Sequence, residues 1–209
     1  MSDVNIQLVR EFFEINGFRV MMYWRHDHGR AQGGEHGFQL YVENMTAAQD
    51  GAADFVLRVG DVGRIERAVV EVRAWHADRM YASVIESNPV LLEVAGTESR
   101  QRAHQMFGQR AVATILVVSE LPASAEARQR SIAAFQQAGI NHVLEFPTVL
   151  HELLDKVSPT ISYTSSDTLQ ILRLLKRYDF IRRQQLEFPF PTEPPVTGAA
   201  AHVEAHVEE

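Results

Sequence analysis

Residues 111–118, AVATILVV, form an apolar run broken only by one threonine. A stretch of that length and β-branched content reads as a strand buried on both faces, and such strands occur where helices cover both sides of a sheet. Its surroundings agree. Residues 123–138 read as a helix, with Ser124 as a candidate N-cap and Gly139 at the stop. Residues 142–146 read as a short strand closed by Pro147, and 148–156 as a further helix. A strand–helix–strand unit of this kind joins two parallel strands by a right-handed crossover. The expected fold class is α/β.

The N-terminal half adds strands of a different kind. Residues 4–16, VNIQLVREFFEIN, place apolar side chains at Val4, Leu8, Val9, Phe12, Phe13 and Ile15, an amphipathic helix with Asp3 as candidate N-cap and Gly17 as its end. Residues 18–24, FRVMMYW, read as the first strand, and 38–42, FQLYV, as a short alternating one. Between them RHDHGRAQGGEHG is polar and Gly-rich, a loop. Residues 53–76 are expected to form a hairpin: a strand opening on Asp54, a turn at Gly60-Asp61-Val62-Gly63, and a strand carrying Glu71-Val72-Arg73. Residues 78–94 are helical in composition but interrupted by Pro89, and 97–109 suit another short helix. Residues 167–186 form the last helix, with Arg173, Lys176, Arg177, Arg182 and Arg183 against Asp167 and Asp179.

Composition narrows the chemistry. The 209 residues suit one domain with a tail: 1–186 as a single α/β domain, and 187–209, rich in Pro, Ala and Glu, as a disordered extension. Cysteine is absent, which excludes disulfides, zinc–thiolate centres and a cysteine nucleophile. No secretory leader pattern and no apolar run of membrane-spanning length is visible, so a cytoplasmic protein without a membrane partner is expected. The five glutamates of the tail account for all but −2 of the net charge of −7. A near-neutral body leaves room for a local basic groove.

Alternation along a strand puts Glu71 and Arg73 on one face. If the 53–76 hairpin forms, Asp54 lies near Glu71. An acid on one strand and an acid-x-base triplet on the next is a way to hold a divalent cation against a phosphodiester. This layout resembles the PD-(D/E)xK nuclease superfamily, and the order helix, strand, strand with acid, strand with Glu-x-basic, helix, strand, helix matches residues 4–138 roughly. The phrase FFEINGFRV resembles that family's first helix and the turn into its first strand. The resemblance implies a restriction-endonuclease-like fold, a mixed β-sheet flanked by helices. It implies Mg²⁺ held by Asp54 and Glu71, with Arg73 at the phosphate and Glu11 or Glu14 assisting from the first helix. It also implies DNA, or another nucleic acid, as partner. One position departs from the pattern: active members carry lysine where Arg73 stands. Lysine can release a proton when its pKa is depressed; arginine cannot, although it can clamp a phosphate.

Two readings of each residue stand at this stage. Asp54 is a metal ligand or a strand-start residue. Glu71 is a metal ligand or one half of a structural ion pair with Arg73, Arg67 or Arg58, because an unpaired carboxylate in a valine-rich strand is costly. His26, His28 and His36, with Asp27 and Glu35, are loop residues with weak metal-ligand spacing. Three functions follow: an Mg²⁺-dependent endonuclease, a degenerate relative that binds nucleic acid or protein without cutting, or a non-catalytic regulatory or protein-interaction domain of Rossmann-like or flavodoxin-like type. The last would place its site at strand ends such as Ser119-Glu120.

Overall fold

The computed structural model describes residues 4–23, 39–46, 50–76 and 79–181. The expected polar loop with its histidines and the expected disordered tail lie outside these residues. Helix α1 (Val4–Ile15) leads into strand β1 (Phe18–Tyr23), and Gly17 makes the turn between them with a φ of 83°. Strand β2 (Gln39–Asn44) follows, then the one-turn helix α2 (Val59–Val62) and strand β3 (Arg67–Arg73). Helix α3 (Ala82–Ser87), a 3-10 segment (Pro89–Ala95) and helix α4 (Thr97–Phe107) lead to strand β4 (Ala113–Val118). Helix α5 (Ala125–Gln137), strand β5 (His142–Glu145), helix α6 (Phe146–Lys156) and helix α7 (Asp167–Arg177) complete the order.

The five strands form one open sheet in the order β1-β2-β3-β4-β5. Strand β2 runs antiparallel to β1 and β3, whereas β3, β4 and β5 run parallel to one another. The fold is therefore α/β with a mixed sheet, as expected. The parallel half follows from the buried β4 run: Ile115, Leu116, Val117 and Val118 are all inaccessible to solvent, so helices must cover both faces. On one face Leu40, Val42, Ala68, Val70, Ile115, Val117 and Leu144 pack with Phe12 and Phe13 of α1, Val149 and Leu153 of α6 and Leu169 of α7. On the other, Tyr41, Val69, Leu116, Val118 and Val143 pack with Ile85, Leu91, Val94, Phe107 and Phe135. Among the described residues no helix is long and apolar enough to cross a membrane.

The expected 53–76 hairpin does not form, and this is the main correction. The antiparallel partner of β3 is β2, in the register Gln39 with Glu71 through Glu43 with Arg67. The expected turn at Gly60–Gly63 is helix α2 instead. A tight hairpin needs left-handed backbone at its centre, but Gly63 has a φ of −63° and Gly60 is likewise not among the left-handed glycines. Asp61 decides the matter locally. Its carboxylate accepts from the backbone N–H of Arg58 (3.1 Å) and pairs with Arg64 (2.6 Å), closing a helical turn on itself. The stretch expected as the first hairpin strand crosses the molecule and lies along β5. Val56 bridges Val143 in parallel, the Leu57 N–H donates to the Val143 carbonyl (2.8 Å), and the Val143 N–H donates to that of Phe55 (2.8 Å).

The remaining elements match their expected places within a few residues except the last helix. Expected over 167–186, it ends at Arg177: just beyond, Asp179 takes left-handed backbone with a φ of 58° and the Phe180 N–H closes back onto the Leu175 carbonyl (2.9 Å), and residues 182–186 lie outside those described. Ser124 caps α5 by accepting from the Ala127 N–H (3.3 Å), and Gly139 ends that helix region with a φ of 83°. Asp61 is 6% exposed and carries both the cap and the Arg64 pair, so Asp61→Ala is expected to lower stability by about 1–2 kcal/mol, read as a shift of the urea unfolding midpoint at unchanged slope.

Candidate functional site

Strand β3 has both edges bonded, and the side chains of its Val69, Glu71 and Arg73 share one face of the sheet. Glu71 is 1% exposed and Arg73 3%. A carboxylate and a guanidinium in such a place must find partners, since an unpaired buried charge costs several kcal/mol. Being two residues apart on one face, they find each other. Arg73 Nε donates to Glu71 Oε1 (2.8 Å), and Arg73 Nη2 approaches the same oxygen at 2.7 Å. The other oxygen, Oε2, accepts from Nε2 of Gln39, the residue opposite in β2, at 3.1 Å. The hydroxyl of buried Tyr41 donates to Gln39 Oε1 at 3.4 Å, and Glu93 on the 3-10 segment stands 3.9 Å from Arg73 Nη2. A chain of donors thus runs from Tyr41 through Gln39 to Glu71, with Arg73 closing the other side.

Sequence reasoning missed Gln39, and with it Tyr41 and Glu93 around the pair. The alternating segment 38–42 was recognisable as a strand, but its pairing with β3 was not, and only that pairing gives the amide its place. The position that faces Glu71 across the antiparallel pair holds a neutral carboxamide.

The other candidate residues lie elsewhere. Asp54 is exposed, and its backbone carbonyl faces His142 Nδ1 (2.9 Å) at the start of β5. From β3 it is separated by β4 and β5, three strand spacings or roughly 14 Å. Asp54 and Glu71 are therefore not brought together as shared metal ligands. Glu11 lies on α1, whose core packs against the opposite face of the sheet from Glu71. It is 2% exposed and accepts from Gln7 Nε2 (3.1 Å) and from the hydroxyls of Ser166 and Thr168. Ser166 in turn caps α7 through the Leu169 N–H (3.1 Å), so Glu11 fastens the last helix to the first. Glu14 is exposed and pairs with Arg10 at 2.7 Å. Neither reaches the Glu71 cluster. His26, Asp27, His28, Glu35 and His36 fall outside the described residues. Among those described, no group of three or more His, Asp or Glu side chains is placed to hold a metal ion.

A second feature lies at the carboxyl ends of the parallel strands. His76, Arg79, Ser119, Glu120, Phe146, Pro147 and Leu150 line a cleft of about 380 Å³. Arg79 and Glu120 pair across it at 3.2 Å, and His76 stands edge-on to the Phe146 ring with centroids 4.7 Å apart. This is the strand-end location expected of a doubly wound domain. The sheet, however, runs in simple sequential order with an antiparallel strand inside it, so it lacks the reversal of strand order at which such folds bind ligands.

Comparison with family models, with curated proteins and with solved structures finds no match for this chain.

The cluster's energetics are directly accessible. Glu71→Met and Arg73→Met should each destabilise the protein by about 3–5 kcal/mol, since each leaves a buried charge without its partner. The double variant should be no less stable than either single one. Urea denaturation of the four proteins gives the coupling. Independent, additive losses would show that the two side chains do not act as a pair.

Proposed function

We propose that this chain is a non-cleaving relative of the restriction-endonuclease-like nucleases, keeping their scaffold to bind nucleic acid rather than to hydrolyse it. The order helix, strand, strand, strand with Glu-x-basic, helices, strand, helix supports the family reading, as do the antiparallel β1-β2-β3 half and the parallel β3-β4-β5 half. One observation carries the loss of cleavage: Gln39 stands opposite Glu71, and both carboxylate oxygens of Glu71 already accept hydrogen bonds, from Gln39 and Arg73.

The chemistry follows from those three residues. A Mg²⁺ site for phosphodiester hydrolysis draws on carboxylates from two strands and leaves room for water. Here one carboxylate is present, its charge is neutralised by the guanidinium beside it, and the facing group is uncharged. Arginine does not release a proton near neutral pH, so Arg73 cannot serve as the base that generates hydroxide. The cluster instead joins β2 to β3 at the end of the sheet where the nuclease centre would sit.

A protein-interaction role is the second reading, favoured by the solvent-exposed apolar side chains of α7, Ile171 and Leu174, and of Tyr178 just after it.

The test has two parts. Plasmid and branched DNA should stay uncut by the wild-type protein in Mg²⁺ or Mn²⁺, while fluorescence anisotropy should detect binding to the same DNA that weakens as salt is raised. Metal-dependent cutting lost in Glu71→Ala would overturn the non-cleaving reading; absence of salt-sensitive binding would favour the protein-interaction role. The pair Gln39→Asp with Arg73→Lys rebuilds the acid and lysine of the pattern. Isothermal titration calorimetry should then show Mn²⁺ binding that the wild-type protein lacks.

A further inference from the structure

Helix α7 is amphipathic in an unusual sense: both of its faces carry apolar residues. Leu169, Leu172 and the stem of Lys176 lie towards the body, where the Lys176 ammonium donates to the carbonyls of Leu154 and Val157 at the end of α6. At 100° per residue the opposite side is a stripe of Asp167, Ile171, Leu174 and Tyr178, spaced by four, three and four residues. Ile171 is 56% exposed, Leu174 38%, Tyr178 66%, and Phe180 just beyond the helix 77%. The apolar positions 171, 174 and 178 have the three-and-four spacing that a two-helix seam uses.

We infer that this stripe is the self-association surface of the protein, and that two copies pair through α7 in antiparallel fashion about a two-fold axis between Ile171 and Leu174. The charge distribution selects this occupant and this direction. Asp167 stands at one end of the stripe and Arg177 flanks the other, both exposed. Antiparallel pairing brings each copy's Asp167 to the end where the other copy carries Tyr178 and Arg177. Parallel pairing would set Asp167 against Asp167 and Arg177 against Arg177. The two helix dipoles also oppose favourably in the antiparallel arrangement. A two-fold interface needs a self-complementary patch, and the stripe is one: acid, apolar, apolar, aromatic beside a base. The four exposed apolar side chains present on the order of 500 Å² per copy, so a pair removes on the order of 1,000 Å² from water, the lower end for a specific interface. The pairing uses none of the residues of the Gln39–Glu71–Arg73 cluster, so it stands apart from the nuclease-like reading.

Sedimentation equilibrium of the full chain at tens of micromolar tests the inference. The expected result is a reversible dimer of twice the 23.6 kDa chain mass. Ile171→Glu should weaken it by more than about tenfold while leaving the urea unfolding midpoint of the monomer unchanged, because more than half of that side chain meets solvent in the single copy. Arg177→Asp should also weaken the dimer, and adding Asp167→Arg should restore it. A wild-type chain that stays monomeric at hundreds of micromolar overturns the inference and leaves the stripe to the chain's own C-terminal segment or to a different protein. A dimer unaffected by Ile171→Glu overturns it too, since another surface must then hold the copies together. Failure of the charge exchange to restore affinity overturns the antiparallel arrangement.

Discussion

Strand β3 is the constraint on which the rest of the molecule depends. It is bonded to an antiparallel neighbour on one edge and a parallel neighbour on the other, and helices cover both of its faces. Most of what is written into its sequence, Ala68 to Glu71 and Arg73, is therefore interior. Two charged residues at positions 71 and 73 survive there because alternation sets them side by side, at 2.7–2.8 Å, with an amide from β2 completing the carboxylate's partners. A buried, paired polar cluster of this kind adds less to stability than to the choice of one pairing over others: a register slip of one residue in β2 would send Gln39 to the opposite face and strip Glu71 of a donor.

That same arrangement separates scaffold from chemistry. Sheet order and strand direction set the scaffold, whereas the chemistry is set by the residues that meet there: a neutral amide at position 39, a carboxylate at 71 and a permanently protonated base at 73. A fold by itself says little about activity, which depends on the residues placed at its critical positions. Here the register itself identifies Gln39 as the residue that faces Glu71, information that neither residue carries alone.

Much of the fold was legible in the chain. The β4 run announced its own burial, Gly17 and Gly139 stood where helices had to stop, and Ser124 sat in front of α5 as a cap. What misled was local resemblance. Gly60 and Gly63 looked like hairpin punctuation, but Asp61 could satisfy the Arg58 amide and the Arg64 guanidinium at once, and a capped helical turn won. Nor could alternation reveal which strand β3 takes as its neighbour, because pairing depends on contacts distant in sequence. Glu71 and Arg73 were visible as a pair on one face; Asp54 was assigned to them only through the hairpin that did not form. Gln39 went unnoticed since an isolated amide carries no signal until its cross-strand partner is known.

The excursion of residues 55–57 to the far side of the sheet has a consequence for the order of events during synthesis. These residues come between β2 and β3 in the chain, yet their hydrogen-bonding partner is Val143, whose neighbour His142 lies 88 positions after the Asp54 carbonyl it faces. When β1, β2 and β3 have left the ribosome, the strap that belongs beside β5 has nothing to hold. It stays an open backbone edge until the final strand arrives. The segment before β3 and the last strand are thereby joined across 88 positions of chain, and the outer edge of β5 is covered by residues made long before it.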